Sequence, residues 1–193
     1  METRKQMSFT LLIVFAAIAI GISFICSILE AVLLSTSLSH VALLESENRK
    51  GASLWRKYKQ EPERPLTAIL TLNTIAHTVG ALGVGVEVTR LYDGDPRVEM
   101  AMFVATALMT LGILLLSEIL PKTLGTLYWK RLSTPTALSL RFLIVFLIWI
   151  VAPIEWIRSL FPTAPQETVT RKELAALAER MEDEDAIEED EEQ

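Results

Sequence analysis

The stretch 7-MSFTLLIVFAAIAIGISFICSIL-29 contains no aspartate, glutamate, lysine or arginine. An α-helix rises about 1.5 Å per residue, so this stretch is long enough to cross a hydrocarbon core of about 30 Å. Residues 66–86 and 100–117 are also free of these four residue types. A small soluble domain rarely needs three uncharged helices of this length, so the sequence predicts an all-α integral membrane protein. The predicted membrane spans cover residues 7–35, 66–88 and 98–120.

The charged residues are segregated from these stretches. The chain has 193 residues, of which 51% are hydrophobic and 22% charged, and ten of its acids lie in residues 179–193. The sequence therefore predicts a transmembrane domain, residues 1–162, followed by an acidic cytoplasmic tail, residues 163–193. Within the tail, Thr170 is followed three residues later by Glu173, a capping-box pattern that predicts the start of a short helix.

The basic residues predict the orientation of the chain in the membrane. Nine of them lie between the first and second spans or after the third, and four lie on the opposite side. Cytoplasmic segments beside membrane helices carry an excess of lysine and arginine, so the N-terminus is predicted outside and the C-terminus in the cytoplasm. A signal peptide is the alternative for the first span, but the run is too long and shows no clear small-x-small cleavage site before Glu30. The nine are Arg49, Lys50, Arg56, Lys57, Lys59, Arg64, Lys122, Lys130 and Arg131, and the four are Arg4, Lys5, Arg90 and Arg97.

A fourth apolar region, residues 132–154, is interrupted by Pro135 and by an arginine. It contains Trp149 and is followed by Trp156, and tryptophan favours the headgroup level of a membrane. The sequence therefore predicts a kinked juxtamembrane belt helix, residues 132–161, along the inner interface. A fourth crossing, which would place the C-terminus outside, is the alternative.

Five polar or ionisable side chains are predicted in the inner half of the membrane: Ser27, Glu30, Asn73, His77 and Glu118. Ionisable groups inside a bilayer cost about 2.5 to 3.5 kcal/mol each on insertion scales, so they usually face a bundle interior and mark a pathway. Residues three or four positions apart share a helix face, so Ser27 lies on the same face as Glu30, and Asn73 on the same face as His77. They are therefore predicted to point at a common centre.

The stretch 114-LLLSEILPKTLG-125 places Glu118 at the end of an apolar run and Pro121 three residues later. Because proline has no backbone N–H, it is predicted to break the helix and to free the carbonyl of Ser117 beside the carboxylate. Carboxylate, hydroxyl, amide and carbonyl oxygens suit Mg²⁺, Ca²⁺ or Na⁺, and a histidine ligand would admit Mn²⁺, Co²⁺ or Zn²⁺. The alternatives are an ion pair between Glu118 and Lys122, one turn on, and a hydrogen bond between helices for the histidine.

Motifs for other chemistry are absent from the sequence. It contains no Walker loop, no Cys-x-x-Cys, no Gly-x-Ser-x-Gly and no His-Glu-x-x-His. These absences argue against ATP-driven transport and against the commonest hydrolase and zinc sites. The protein is therefore not predicted to be an enzyme, and no nucleic-acid partner is expected.

At these residues the chain resembles the membrane domain of the CorC/CNNM family of magnesium transport proteins. The resemblance covers about residues 8–192 and is most specific in 118-EILPKTLG-125. The stretches 27-SILEAVLLS-35 and 70-LTLNTIAHTVG-80 support it. It implies an extracellular N-terminus, three membrane-spanning helices, a belt helix and a homodimer with one cation site per subunit. The implied activity is export of Mg²⁺, exchanged for Na⁺, by a multi-pass protein of the inner (plasma) membrane.

The resemblance also implies a set of site residues. Ser27, Asn73 and Glu118 match the side-chain ligands of the family, with backbone carbonyls near Gly125 and in the second helix as helpers. The complete set of predicted cation ligands is Ser27, Asn73, His77, Glu118 and Gly125. The residues predicted to support them are Glu30, Ser117, Pro121 and Lys122.

The chain departs from the family pattern in its motifs. Where the family commonly reads Ser-Gly-Ser-Glu, this chain has 27-SILE-30, and Ser117 stands in place of a glycine before the motif glutamate. Where the family has a pair of asparagines and a third one a turn later, this chain has Asn73, Thr74 and His77. These changes bear on which cation the site selects.

Family members usually continue into a pair of CBS modules that bind nucleotide and gate the membrane part, whereas this sequence ends in the acidic segment. The chain is thus either part of a longer protein or a short member without that control, and a regulatory CBS-type domain is an expected partner in the first case. The alternative function is a non-transporting membrane scaffold or sensor that regulates another cation transport protein.

Overall fold

The computed structural model of this chain describes residues 2–159, and every regular element within that range is a helix. The predicted all-α fold is thereby confirmed. The predicted acidic helix after Thr170 and the tail of residues 163–193 lie outside the described residues. Of the described residues, those up to Glu155 form one compact unit, and those from Trp156 belong to a second. The elements are α1 (Glu2–Ser35), α2 (Leu38–Ser46), α3 (Ala52–Gln60), α4 (Glu63–Leu91), α5 (Val98–Gly112), a π-helical segment (Ile113–Ile119), α6 (Leu120–Leu127), α7 (Trp129–Phe146) and α8 (Ile148–Ser159).

Three helical stretches are long and apolar enough, by length and composition, to cross a membrane: Thr3–Ser35, Glu63–Leu91 and Val98–Phe146. Large apolar side chains are exposed along all three, as expected for helices that contact lipid. Phe103 and Phe142 are each 72% exposed, and Leu82 is 69% exposed. The three predicted membrane helices therefore correspond to α1, α4 and the stretch that begins with α5.

Helices α1 and α4 run antiparallel and pack closely against each other. His77 of α4 contacts Ser23 of α1. Gly80, three residues after His77, faces Ala19, four residues before Ser23. A Cβ atom at Gly80 would overlap the Cβ of Ala19. In lipid, helices are held together by packing, and a residue without a side chain lets the two backbones approach. Glycine is thus required at this crossing.

The third membrane helix continues past Pro121, which corrects the prediction that this proline breaks it. Helix α5 leads into the π-helical segment, where the N–H of Leu120 bonds to the carbonyl of Leu115, five residues back. Helix α6 follows directly and ends at Leu127. Pro121 lies in the first turn of α6, and no non-helical residue separates α6 from the π-helical segment before it.

The segment between α1 and α4, predicted only as a basic connection, is largely helical and packs against α7. Trp55 of α3 is fully buried, and its indole N–H donates to the carbonyl of Ser133 at 3.0 Å. The hydroxyl of Tyr58 donates to the carbonyl of Ala137 at 3.2 Å. These contacts fix α3 and α7 to each other.

Charged groups outside the spans form hydrogen bonds near the ends of the membrane helices. Nζ of Lys59 donates to the carbonyl of Leu33 in the last turn of α1 at 2.8 Å, and burial lowers the pKa of this lysine. In the loop between α4 and α5, the guanidinium of Arg97 binds both carboxylate oxygens of Asp95, at 2.8 and 3.0 Å. These hydrogen bonds, with one from the Arg97 backbone N–H, lower the pKa of Asp95 to about 2.

The predicted belt helix, residues 132–161, corresponds to two helices in the described part of the chain. Helix α7 ends at Phe146, and α8 begins at Ile148. The interruption therefore falls at Leu147, whereas Pro135, the predicted cause of a kink, lies inside α7.

Candidate cation site

Asn73 and Glu118, from the second and third membrane helices, are in direct contact. Nδ2 of Asn73 donates a hydrogen bond to Oε1 of Glu118 at 3.2 Å. Asn73 is half-buried, and the Glu118 side chain is 24% exposed. The carboxylate therefore faces another membrane helix and not the lipid, as expected for an ionisable group with a function.

The register of α1 and α4 places Ser27 at the same depth as Asn73. Nε2 of His77 on α4 lies 2.7 Å from Oγ of Ser23 on α1. Asn73 precedes His77 by four residues, and Ser27 follows Ser23 by four. Because the two helices run antiparallel, these equal steps bring Asn73 and Ser27 to one level.

The third membrane helix runs parallel to α1 and reaches this level at Glu118. A Cβ at Gly112 would lie 3.3 Å from Cδ1 of Ile20, and Lys122, ten residues later, contacts Glu30 on α1. Glu118 lies between these two contacts, six residues after Gly112. Counted from either contact, Glu118 lies beside the turn of α1 that contains Ser27. Residues from all three membrane helices thus meet at one depth.

Two oxygens at this depth are buried and have no hydrogen-bond partner among the residues that the structure describes. They are Oγ of Ser27 and Oδ1 of Asn73. Leaving a buried hydroxyl or amide oxygen unpaired costs about 1–3 kcal/mol, so such groups need an explanation. A cation uses the lone pairs that these oxygens offer, and its binding would remove the cost.

Glu118 also forms the ion pair that the sequence offered as the alternative to a cation site. Nζ of Lys122 lies 3.1 Å from Oε2 of Glu118 and 3.1 Å from Oε2 of Glu30. One carboxylate oxygen of Glu118 therefore contacts Asn73, and the other contacts Lys122. The second half of the bridge, from Lys122 to Glu30, joins two helices and could not be predicted from spacing along one helix.

His77 and Ser117 are engaged by other groups. His77 shares a hydrogen bond with Ser23, which is the alternative that the sequence offered for it, and its role as a ligand stays a prediction. The hydroxyl of Ser117 donates to the carbonyl of Ile113 at 2.8 Å within its own helix. Ser23 was missed by the sequence reading, although its spacing of four residues from Ser27 places both hydroxyls on one face.

Pro121 and Gly125 pack α6 against α1. Pro121 is fully buried, and a Cβ at Gly125 would lie 2.7 Å from the Cβ of Ala31 and 3.2 Å from the carbonyl oxygen of Ile28. Glycine therefore allows α6 to approach α1 directly after Ser27. The use of a backbone carbonyl near Gly125 as a cation ligand stays a prediction.

The donor set of this centre consists of one carboxylate and neutral oxygens. Within residues 2–159, no group of three or more His, Cys, Asp or Glu side chains is arranged to hold a metal ion. Hydroxyl, amide and carboxylate oxygens suit hard cations such as Mg²⁺, Ca²⁺ or Na⁺ better than soft metals.

Three apolar helices around a buried polar centre define the chain as a multi-pass integral membrane protein. The family model of the Cyclin M transmembrane N-terminal domain matches residues 13–191. The chain therefore belongs to this family, called CNNM, as its resemblance to CorC/CNNM proteins predicted. Membership supports a function in membrane transport or a closely related process.

Several curated proteins are similar to this chain. It is 33% identical to the UPF0053 protein sll1254 of Synechocystis over 170 residues, which make up 88% of this chain and 48% of that protein. It is 28% identical to a UPF0053 protein of Haemophilus influenzae, over 74% of this chain and 32% of the relative. It is 30% identical to the UPF0053 inner membrane protein YfjD of Escherichia coli, over 59% of this chain and 26% of the relative. The chain thus spans half the length of these relatives or less.

Proposed function

We propose that this chain forms the ion-binding membrane part of a transporter that exports Mg²⁺ in exchange for Na⁺. The transporter is a homodimer in the inner membrane, with its N-terminus outside and its C-terminus in the cytoplasm, and a regulatory CBS-type domain outside this chain controls it. The name of the Escherichia coli relative, an inner membrane protein, supports the location.

One observation carries the proposal. Two buried oxygens lie at the depth of an inward-facing carboxylate, and neither has a hydrogen-bond partner among the described residues. Oγ of Ser27 and Oδ1 of Asn73 would supply neutral ligands, and Glu118 would supply charge. Mg²⁺ gives up water reluctantly and usually keeps several water molecules when it binds to a protein. Three protein oxygens with the remaining positions held by water match that habit.

The function is tested by ion flux in liposomes that contain the purified protein and a Mg²⁺-sensitive dye. The native protein is expected to carry Mg²⁺, whereas Glu118→Gln and Asn73→Ala are expected to lower the flux at low Mg²⁺ about tenfold or more. Each change removes an interaction with a charged group worth about 1.5–3 kcal/mol, which corresponds to a factor of about 10–100 in affinity.

Matched controls separate the site from general effects of substitution. Glu99→Gln changes an exposed glutamate near the outer start of α5. Thr71→Ala removes a hydroxyl whose one described hydrogen bond goes to the carbonyl of Thr67 in the same helix. Both are expected to leave the flux unchanged. If the native protein folds in the liposomes but carries no Mg²⁺, the scaffold or sensor function is favoured instead.

The orientation is tested with single cysteines and a maleimide that does not cross membranes. Cys26 is the one native cysteine and is only 1% exposed, so its background labelling is expected to be small. Asp93→Cys, in the α4–α5 loop, is expected to react in intact cells. Lys50→Cys, between α2 and α3, is expected to react only after the membrane is permeabilised. The opposite labelling pattern would show that the N-terminus is cytoplasmic.

A further inference from the structure

The ammonium group of Lys122 contacts the charged residue of the candidate cation site. Its Nζ is 3.1 Å from Oε2 of Glu118, the carboxylate that supplies the charge of the candidate site. The same nitrogen is 3.1 Å from Oε2 of Glu30 on α1. Any cation that binds Glu118 through this oxygen therefore competes with a cation that belongs to the protein itself.

A charge of this kind is needed when no transported cation is bound. A carboxylate in the inner half of a membrane is costly without a counter-charge. The hydrogen bond from Asn73 satisfies one oxygen of Glu118 but does not neutralise it. Lys122 provides the missing positive charge, and its flexible four-carbon stem lets the ammonium move without a change in the helix.

Glu30 gives Lys122 a position to keep after it leaves Glu118. The carboxylates of Glu118, in the π-helical segment, and Glu30, in α1, both lie 3.1 Å from Nζ of Lys122. The Lys122 side chain is 44% exposed and the Glu30 side chain 33%, so this pair lies toward the accessible side of the centre. Glu118, with 24% exposure, is the more enclosed of the two partners.

We propose that Lys122 is an internal counter-cation that holds Glu118 while the site is free of transported cation and yields this carboxylate to the incoming ion while remaining on Glu30. Lys122 thereby sets the affinity of the site to a value low enough for the ion to leave again. The inference rests on the proposed function and goes beyond it, because it assigns the lysine the role of a competitor and not that of a ligand-positioning residue.

The test is a titration of the purified full chain in detergent with MgCl₂, followed by the rise in Tm. Lys122→Met removes the competing charge and keeps the apolar stem. It is expected to lower the Tm in the absence of Mg²⁺ and to tighten the apparent Kd for Mg²⁺ at least about tenfold, because two like charges at one carboxylate repel strongly at this distance. Lys122→Arg keeps the charge and is expected to bind Mg²⁺ like the native protein.

A control variant and a second neutral variant complete the test. Lys130→Met removes an exposed lysine near the same end of the bundle and is expected to leave the Kd unchanged. If Lys122→Met does not fold, Lys122→Gln replaces it. An unchanged or weaker Kd in the neutral variant would overturn the inference, since it would show that Lys122 positions Glu118. Equal tightening in Lys130→Met would also overturn it.

The two proposals can fail separately. If the native protein and the neutral Lys122 variants all fold and none responds to MgCl₂, the proposed cation site itself is wrong, and the role of Lys122 fails with it. If the native protein binds Mg²⁺ and the neutral variant binds it no more tightly, only the role of Lys122 is wrong.

Discussion

Gly80→Leu is expected to lower the free energy of unfolding by about 3 kcal/mol or more and to abolish Mg²⁺ flux. The first carbon of a side chain at this position already overlaps the Cβ of Ala19, so α1 and α4 must move apart to admit a leucine. This separation would also pull Asn73 away from Ser27, two turns further along. The measurements are chemical denaturation in detergent, followed by circular dichroism, and flux in liposomes.

Gly21→Leu is the matched control for this change. Gly21 lies on α1, and a Cβ there would meet no atom within 4 Å in the described part of the chain. Leucine also has a higher helix propensity than glycine by roughly 1 kcal/mol. The Gly21→Leu variant is therefore expected to keep both its stability and its flux. If it loses them as Gly80→Leu does, the role assigned to the Gly80 contact is contradicted.

Trp55→Ala is expected to lower the free energy of unfolding by about 3–5 kcal/mol. The indole is fully buried between α3 and α7, packs edge-on against the ring of Tyr58 at 6.1 Å and donates to the carbonyl of Ser133. Its removal leaves a cavity and takes away this hydrogen bond. The change is measured by denaturation followed by circular dichroism, which does not depend on tryptophan fluorescence.

Trp149→Ala provides the comparison for Trp55. Its side chain is 86% exposed, so its removal creates no cavity and is expected to change the stability by less than about 0.5 kcal/mol. A large loss of stability in this variant would show that the exposed face of α8 is covered in the folded protein, for example by a second subunit.

The membrane helices could be predicted from charge alone because a span needs only length and an absence of ionisable groups. Helices α2 and α3 could not be predicted in this way, since they are short and α3 depends on distant contacts. Trp55, for instance, binds the carbonyl of Ser133, 78 residues away. The prediction at Pro121 was wrong because it considered the missing N–H and not the change in hydrogen-bond pattern that precedes the proline.

The candidate site was predictable to the extent that it depends on spacing within one helix. Depth along each helix brought Asn73 and Glu118 to one level, and the structure has them hydrogen-bonded. The link from Lys122 to Glu30 and the pair formed by Ser23 and His77 depend on how neighbouring helices are aligned, which no single segment encodes.

The π-helical segment has a consequence for how the carboxylate is aimed. In an α-helix each residue turns the chain by about 100°, so a helix that accommodates one residue more per turn rotates everything beyond it relative to everything before it. Gly112 can therefore face α1 while Glu118, six residues later, still turns inward to Asn73. A change of this segment to α-helical hydrogen bonding without loss of an amino acid would rotate the carboxylate away from Asn73.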